Sequence, residues 1–418
     1  MTAGSRETSR IVPRPAEAKG VELVGYSDLD GRPGFKLAIH RDGERWLLYL
    51  GHFWHSGWSV VDVTDPSNPT PVSFIEAPPN TWTLQVQAAD GLLVAAMEHP
   101  HEGWGFATQP PSREGLALFD IASDPVSPQR VGWFETAGTG THRNFYAGGR
   151  YAYLAANPEG FHGHMLSIID LEDPSRPEEL SRWWVEGQHL AGGESPEHDY
   201  YLHGPAYVQD DLAFLGFGGA GMVILDVSDP ARPSRVGGLD LRGFGSVLGC
   251  HSVIPITGTD LVAVNSEAIA EDGREGHNYC FLVDVSDPSR PWVVGSVPQP
   301  DPGAGTGLRS YFDKGGRFGP HNQHHPQGEL VYAGSDLLFL TYFNAGLRVF
   351  DIEEPRAPRE IGFYVPEAPK VRHGVLPHDL ETQFEDVLVD IRGNIYCTDK
   401  NWGLFVLRAD ALDCPPGA

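Results

Sequence analysis

The chain has 418 residues and a formal charge of −26, from 30 lysines and arginines against 56 aspartates and glutamates. So acidic a surface repels phosphate backbones and anionic membranes, so neither nucleic acid nor a membrane is expected as a partner. Fifty glycines and 35 prolines argue against a helical protein and for many short strands joined by tight turns. The four cysteines (Cys250, Cys280, Cys397, Cys414) contain no CxxC pair, so neither a zinc site of the usual spacing nor a disulfide framework is expected.

The chain begins MTAGSRETSRIVPRP, which has no apolar core of signal-peptide length, and no run of 18 apolar residues occurs anywhere. The expected location is therefore the cytoplasm. Residues 1–19 read as a tail, and KGVELVGYSD (Lys19 to Asp28) reads as a strand with no partner nearby in sequence.

Six segments then repeat one pattern: WSVVDVTDPSNP, LALFDIASDPVSP, LSIIDLEDPSRP, MVILDVSDPARP, CFLVDVSDPSRP and LRVFDIEEPRAP. Their anchoring aspartates are Asp62, Asp120, Asp170, Asp226, Asp284 and Asp351, spaced 50 to 67 residues apart. Each copy is an apolar β-prone run, then Asp, then two prolines three residues apart. Asp can accept from the backbone two residues on and start the turn, while proline cannot donate to a ladder and ends the strand. Two further short strands precede each Asp run and one follows it. Four strands per repeat is the pattern of a β-propeller blade.

The segment Asp386 to Arg408 supplies three strands of a seventh blade and lacks the outer one. Residues 20–28 are expected to fill that place, closing the ring and removing an exposed edge. The expected fold is all-β: a single seven-bladed propeller over residues 20–410, with residues 411–418 as a C-terminal tail. The repeats resemble the LVIVD-repeat family of β-propellers, from about Val21 to Leu407. The resemblance implies the fold; the motif is turn chemistry and is nearly silent on function, because propellers host enzymes, binders and scaffolds alike.

In a blade, the innermost strand starts on one rim of the central channel, and the loop between second and third strands opens on that rim. The Asp-Pro turns sit on the opposite rim, where no histidine is expected. Of the 18 histidines, His142 (THRNFY), His203 (LHGPAY) and His251 (CHSVIP) share a register, nine or ten residues before the second strand. The next two blades enter by longer arms. PHNQHHPQGELVYAGSDLLFL and PHDLETQFEDVLVDIRGNIYC align without gaps and place His321 opposite His378. Blades one and two carry Lys36 and Thr81–Trp82 in the corresponding region. In this alignment His324 and His325 match Glu381 and Thr382, so the repeat does not ask for histidine there.

Five blades thus offer a histidine near one rim, and His142, His203, His251, His321 and His378 are the candidate metal ligands. Neutral imidazole suits iron or copper best here, with zinc or manganese also admissible. The rim loops add His55, Glu98, His101 and Glu267 as candidate catalytic residues. The two carboxylates are placed to accept the outer N–H of a ligand and fix its tautomer. Phe53, Trp54, Trp58, Trp104, Phe106 and Phe161 can wall an apolar pocket or pack between blades. No GxSxG elbow, Walker-type phosphate loop or GxGxxG turn is present.

The leading expectation is a metal-dependent enzyme, most readily a non-haem iron or copper oxidoreductase or oxygenase acting on a small organic molecule. A redox-neutral hydrolase, lyase or isomerase is the first alternative, and a non-catalytic scaffold the second. One histidine per blade is similar in architecture to the carotenoid-cleaving oxygenases, whose iron is held by four histidines. It is also similar to the selenium-binding proteins that oxidise methanethiol with copper. No sequence motif is shared convincingly with either.

Overall fold

All six Asp-anchored turns form as their chemistry requires. Asp62, Asp120, Asp170, Asp226, Asp284 and Asp351 each accept from the amide two residues on, at 2.9–3.0 Å. The acid that follows, Asp65 in the first copy and Glu354 in the sixth, repeats the same bond.

In the computed structural model, residues 12–101 and 113–413 are described. The strands make seven four-stranded antiparallel sheets. Blade one is Gly34–Asp42, Arg45–His52, Gly57–Asp62 and Thr70–Glu76. Blade two is Val86–Ala89, Leu92–Met97, Gly115–Asp120 and Gln129–Glu135. Blade three is Gly140–Phe145, Tyr151–Asn157, Met165–Asp170 and Glu178–Trp183. Blade four is Tyr207–Gln209, Leu212–Gly216, Met222–Asp226 and Ser234–Leu239. Blade five is Leu248–Pro255, Leu261–Glu267, Cys280–Asp284 and Trp292–Ser296. Blade seven is Phe384–Val389, Ile395–Asp399 and Gly403–Ala409, closed on its outside by Val21–Ser27 as expected.

Blade six departs from the pattern. Its regular strands are Leu337–Thr341, Leu347–Asp351 and Arg359–Pro366. The innermost place is held by His321–His324, which bonds to Thr341 and Phe339 without forming a regular strand. On its outside runs Pro15–Lys19, paired with Arg359–Pro366. The tail expected over residues 1–19 is therefore corrected at its end: residues 15–19 cap the edge of blade six. At the other terminus Asp410–Asp413 makes one helical turn.

Seven apolar clusters each join one blade to the next, among the described residues. Leu48 and Val61 of blade one, for example, pack against Leu404 and Val406 of blade seven, and the Phe339 side of blade six packs against Phe384 and Phe405. The Asp-Pro turn adds a second joint at the rim. A Cβ on Gly25, Gly132, Gly237 or Gly295 of an outer strand would fall 1.8–2.1 Å from the carbonyl oxygen of Pro66, Pro174, Pro288 or Pro355 in the following blade. At two other joints a serine stands in this place and donates: Ser73 to Val126 O, and Ser181 to Pro230 O at 2.6 Å. The repeat motif is thus the docking piece between blades. No described helix is long and apolar enough to cross a membrane.

Candidate metal centre

The inner strands carry the site, and they do so through irregularities. The pairing register slips between Gly34 and Leu37, Thr141 and Arg143, Leu248 and Ser252, and Phe384 and Asp386. Each slip brackets one residue of the channel group: Lys36, His142, His251 and Glu385. A bulge bends the strand and re-aims a side chain that strict alternation would send into the sheet stack.

Successive imidazoles then stand side by side around the channel. Ring centroids are 5.1 Å apart for His164–His142, 4.5 Å for His142–His203, 5.1 Å for His203–His251 and 5.1 Å for His251–His321. Two carboxylates sit among them. Glu98 accepts from His142 Nδ1 at 2.5 Å and from His164 Nε2 at 2.7 Å. Glu267 places Oε2 3.4 Å from His203 Nδ1 and 3.5 Å from His251 Nε2, while its Oε1 accepts from Arg317 Nη1 at 3.1 Å.

Two groups have donor atoms lying within 4.8 Å of one another: His203, His251 and Glu267, and Glu98, His142 and His164. Their hydrogen bonds separate the roles. Glu98 is occupied by two N–H donors, and this fixes His142 with its lone pair on Nε2. The Nδ1 of His251 faces Ser252 Oγ at 2.7 Å, which holds the ring with Nε2 toward Glu267. His142 Nε2, His203 Nδ1, His251 Nε2 and Glu267 Oε2 are all buried without a hydrogen-bond partner. Unpaired buried polar atoms cost about 1–3 kcal/mol each, and four on neighbouring side chains fit a metal-ligand set.

Electrostatics agree. Burial pushes His142 down to about 3 and holds His203 and His251 well below the usual imidazole range, so all three are neutral at pH 7. Burial works against the Glu98 carboxylate, but the two imidazoles donating to it hold it well below the usual range. Glu385 is likewise opposed by burial yet held at about 2, by Lys400 and then His321. Neutral imidazole beside ionised carboxylate is the protonation state a metal needs.

His142, His203, His251 and His321 therefore come together as expected, with Glu98 and Glu267 among them. His378 does not. Its side chain is 91 % exposed beside Asp379, and its amide donates to Glu271 Oε2. The place expected for it is filled by Glu385, whose Oε2 is 3.2 Å from His321 Nδ1. His55 and His101 lie apart from the ring arc as well. His55 is half-buried next to His52, and His101 is exposed against the edge of Trp82. Lys36 pairs with Asp386 at 2.6 Å.

Sequence reasoning did not single out His164 for this role, and it missed Glu385, Arg317 and Lys400. His324 accepts from Val389 N and donates toward Tyr332 O, and the partly buried His325 packs on Tyr207. The Asp-Pro rim is not free of histidine either. His40 lies there against Tyr49, whose hydroxyl donates to Pro125 O. Of the expected aromatic wall, Phe53 and Trp54 pack with Phe35 and Trp82, and the Phe35 ring is 5.7 Å from His321. Trp58 is interblade core, Phe161 packs on Trp184, and Trp104 and Phe106 lie outside the described residues.

Comparison with known proteins gives the fold a name and leaves the site without one. The LVIVD repeat model matches residues 207–240 and 275–298. Among solved structures the chain is similar to a hypothetical selenium-binding protein from Sulfolobus tokodaii, with a TM-score of 0.55 and 13 % identity over 86 % of this chain and 89 % of that one. No curated protein matches the sequence.

Proposed function

We propose that this seven-bladed β-propeller, which carries LVIVD repeats at residues 207–240 and 275–298 and a buried arc of histidines at the mouth of its channel, is a metal-dependent enzyme. His203, His251 and Glu267 hold a transition-metal ion, with His142 Nε2 beside them. The observation that carries this is the set of four buried donor atoms with no partner; on His142, His251 and Glu267 the other polar atom is bonded. Imidazoles with one carboxylate suit iron or copper, and the same donor set admits zinc or manganese.

The ion would supply Lewis acidity and, if redox-active, electron exchange. The chain's own groups do the rest. Glu98 fixes the tautomer of His142, Ser252 orients the ring of His251 through Nδ1, and Arg317 leaves one oxygen of Glu267 for the ion. Phe35, Phe53 and Phe343 provide an apolar wall, with Phe343 stacked on His321 at 4.7 Å. We place the activity among the iron or copper oxidoreductases acting on a small organic molecule. The propeller likeness to a protein described as selenium-binding is compatible with redox chemistry and carries no more than the fold.

Elemental analysis of the purified protein tests this. The expected result is close to one iron or copper per chain, lost in His251→Ala and Glu267→Ala. Less than about 0.2 metal per chain after growth in replete medium, unchanged in both variants, would overturn it. Stoichiometric zinc with anaerobic turnover would move the assignment to a redox-neutral reaction.

A further inference from the structure

Beneath the histidine arc lies a cation that the metal centre does not use. Arg143 follows His142 on the bulged inner strand of blade three and is 1 % exposed. The other three buried cations of the channel each have a carboxylate: Lys36 has Asp386 at 2.6 Å, Arg317 has Glu267 at 3.1 Å, and Lys400 has Glu385. Arg143 has none among the described residues. Its guanidinium lies 4.6 Å from the centre of the Phe35 ring, with one long hydrogen bond to Gln85 Oε1 at 3.4 Å. Its Nε is buried without a partner.

The guanidinium is also central. It acts electrostatically on His142, His203 and His251, and Glu267, Asp386 and Glu385 act on it. An unpaired buried guanidinium is costly, and its planar fork suits a bidentate oxyanion such as a carboxylate.

We propose that Arg143 is the substrate-anchoring residue of this centre, and that the site takes a small organic carboxylate held between the metal ion and the Arg143 guanidinium. This rests on the metal centre proposed above. A neutral substrate would leave the guanidinium without a directly bonded anion.

The test uses the full chain loaded with cobalt(II), whose visible spectrum reports on its ligands. Acetate, propionate and benzoate are titrated, with acetamide and benzamide as uncharged controls. The carboxylates are expected to perturb the cobalt bands saturably and the amides not. In Arg143→Gln carboxylate affinity is expected to fall at least tenfold with cobalt stoichiometry unchanged, and Arg143→Lys to recover part of it. Should Arg143→Gln fail to fold, Arg143→Lys alone carries the comparison, with a several-fold loss expected. Equal affinities in the wild type and the folded variants would overturn the proposal. So would amides binding as well as carboxylates, or a response to azide with none to any carboxylate. Cobalt that fails to bind at all would sink the metal centre and this proposal with it, whereas cobalt bound without carboxylate response sinks this proposal alone.

Discussion

The Nε2 of His251 and the Oε2 of Glu267 stand 3.5 Å apart, both buried, and neither makes a hydrogen bond. The remaining polar atoms of the same two side chains are used, by Ser252 and Arg317. The pair is held from behind and left open in front. A bulge between Leu248 and Ser252 is what turns His251 toward Glu267, while Cys250 beside it goes into the core between blades four and five.

Metal binding should therefore stabilise the fold, because coordination would satisfy buried donor atoms that have no hydrogen-bond partner. At a free metal concentration of one hundred times Kd the gain is about 2.7 kcal/mol. For a protein of this size that is a rise in Tm of several degrees, read by differential scanning calorimetry before and after chelator treatment. In His251→Ala the same chelator should leave Tm unchanged. A chelator-insensitive wild type would contradict the assignment of these atoms as ligands.

Glu98 acts through two imidazoles. A glutamine there keeps one acceptor oxygen and turns the other position into a donor, so either His142 or His164 must change tautomer or lose its bond. If His142 changes tautomer, its lone pair leaves Nε2. Metal affinity in Glu98→Gln should drop about 10- to 100-fold, measured by competition with a chromophoric chelator. Glu98→Asp, which keeps both acceptors on a shorter arm, should lose less. An unchanged affinity in Glu98→Gln would show that the tautomer of His142 does not matter to the ion.

His378 supplies the negative control, and its misplacement shows where sequence reasoning fails. The propeller, its closure by residues 20–28 and the arc from His142 to His321 were all legible, because turn chemistry and strand spacing repeat. The gapless alignment of PHDLETQ with PHNQHHP assumed that two long entries follow one path. In blade six the entry runs along Thr341 and delivers His321. In blade seven it swings outward and tucks the His378 amide onto Glu271. A better rule was already present. Lys36, His142, His203 and His251 lie nine or ten residues before second strands that begin at Arg45, Tyr151, Leu212 and Leu261. Counting ten back from Ile395 gives Glu385. The ion pairs of Lys400 and Arg317 left no such periodic trace, because they come from loops whose paths differ between blades. His378→Ala should keep full metal content and Tm, whereas Glu385→Gln should lower both, since it takes a charged partner from Lys400 and unties His321. Loss of metal in His378→Ala would restore the spacing argument that the structure overturns.

Acid should destabilise the metal-free protein through its buried histidines, two of which, His52 and His324, are not among the ligands. His52 is enclosed between Pro33 O and Ser59 Oγ, and His324 between Tyr332 O and Val389 N. Burial lowers His52 to about 3 and His324 to about 4. Both folded values lie below the unfolded value near 6.5, so the unfolded chain binds more protons as pH falls below 6.5. Stability is then complete above about pH 6.5 and declines as pH drops toward the folded values. Each histidine contributes up to about 1.4 kcal/mol per pH unit within that window. Urea midpoints at pH 7, 6 and 5 should decline progressively in the metal-free wild type. The double variant His52→Asn, His324→Gln starts lower but should decline less steeply, since it has two fewer sites to protonate on unfolding. Parallel curves for the two proteins would mean that the acid sensitivity lies elsewhere.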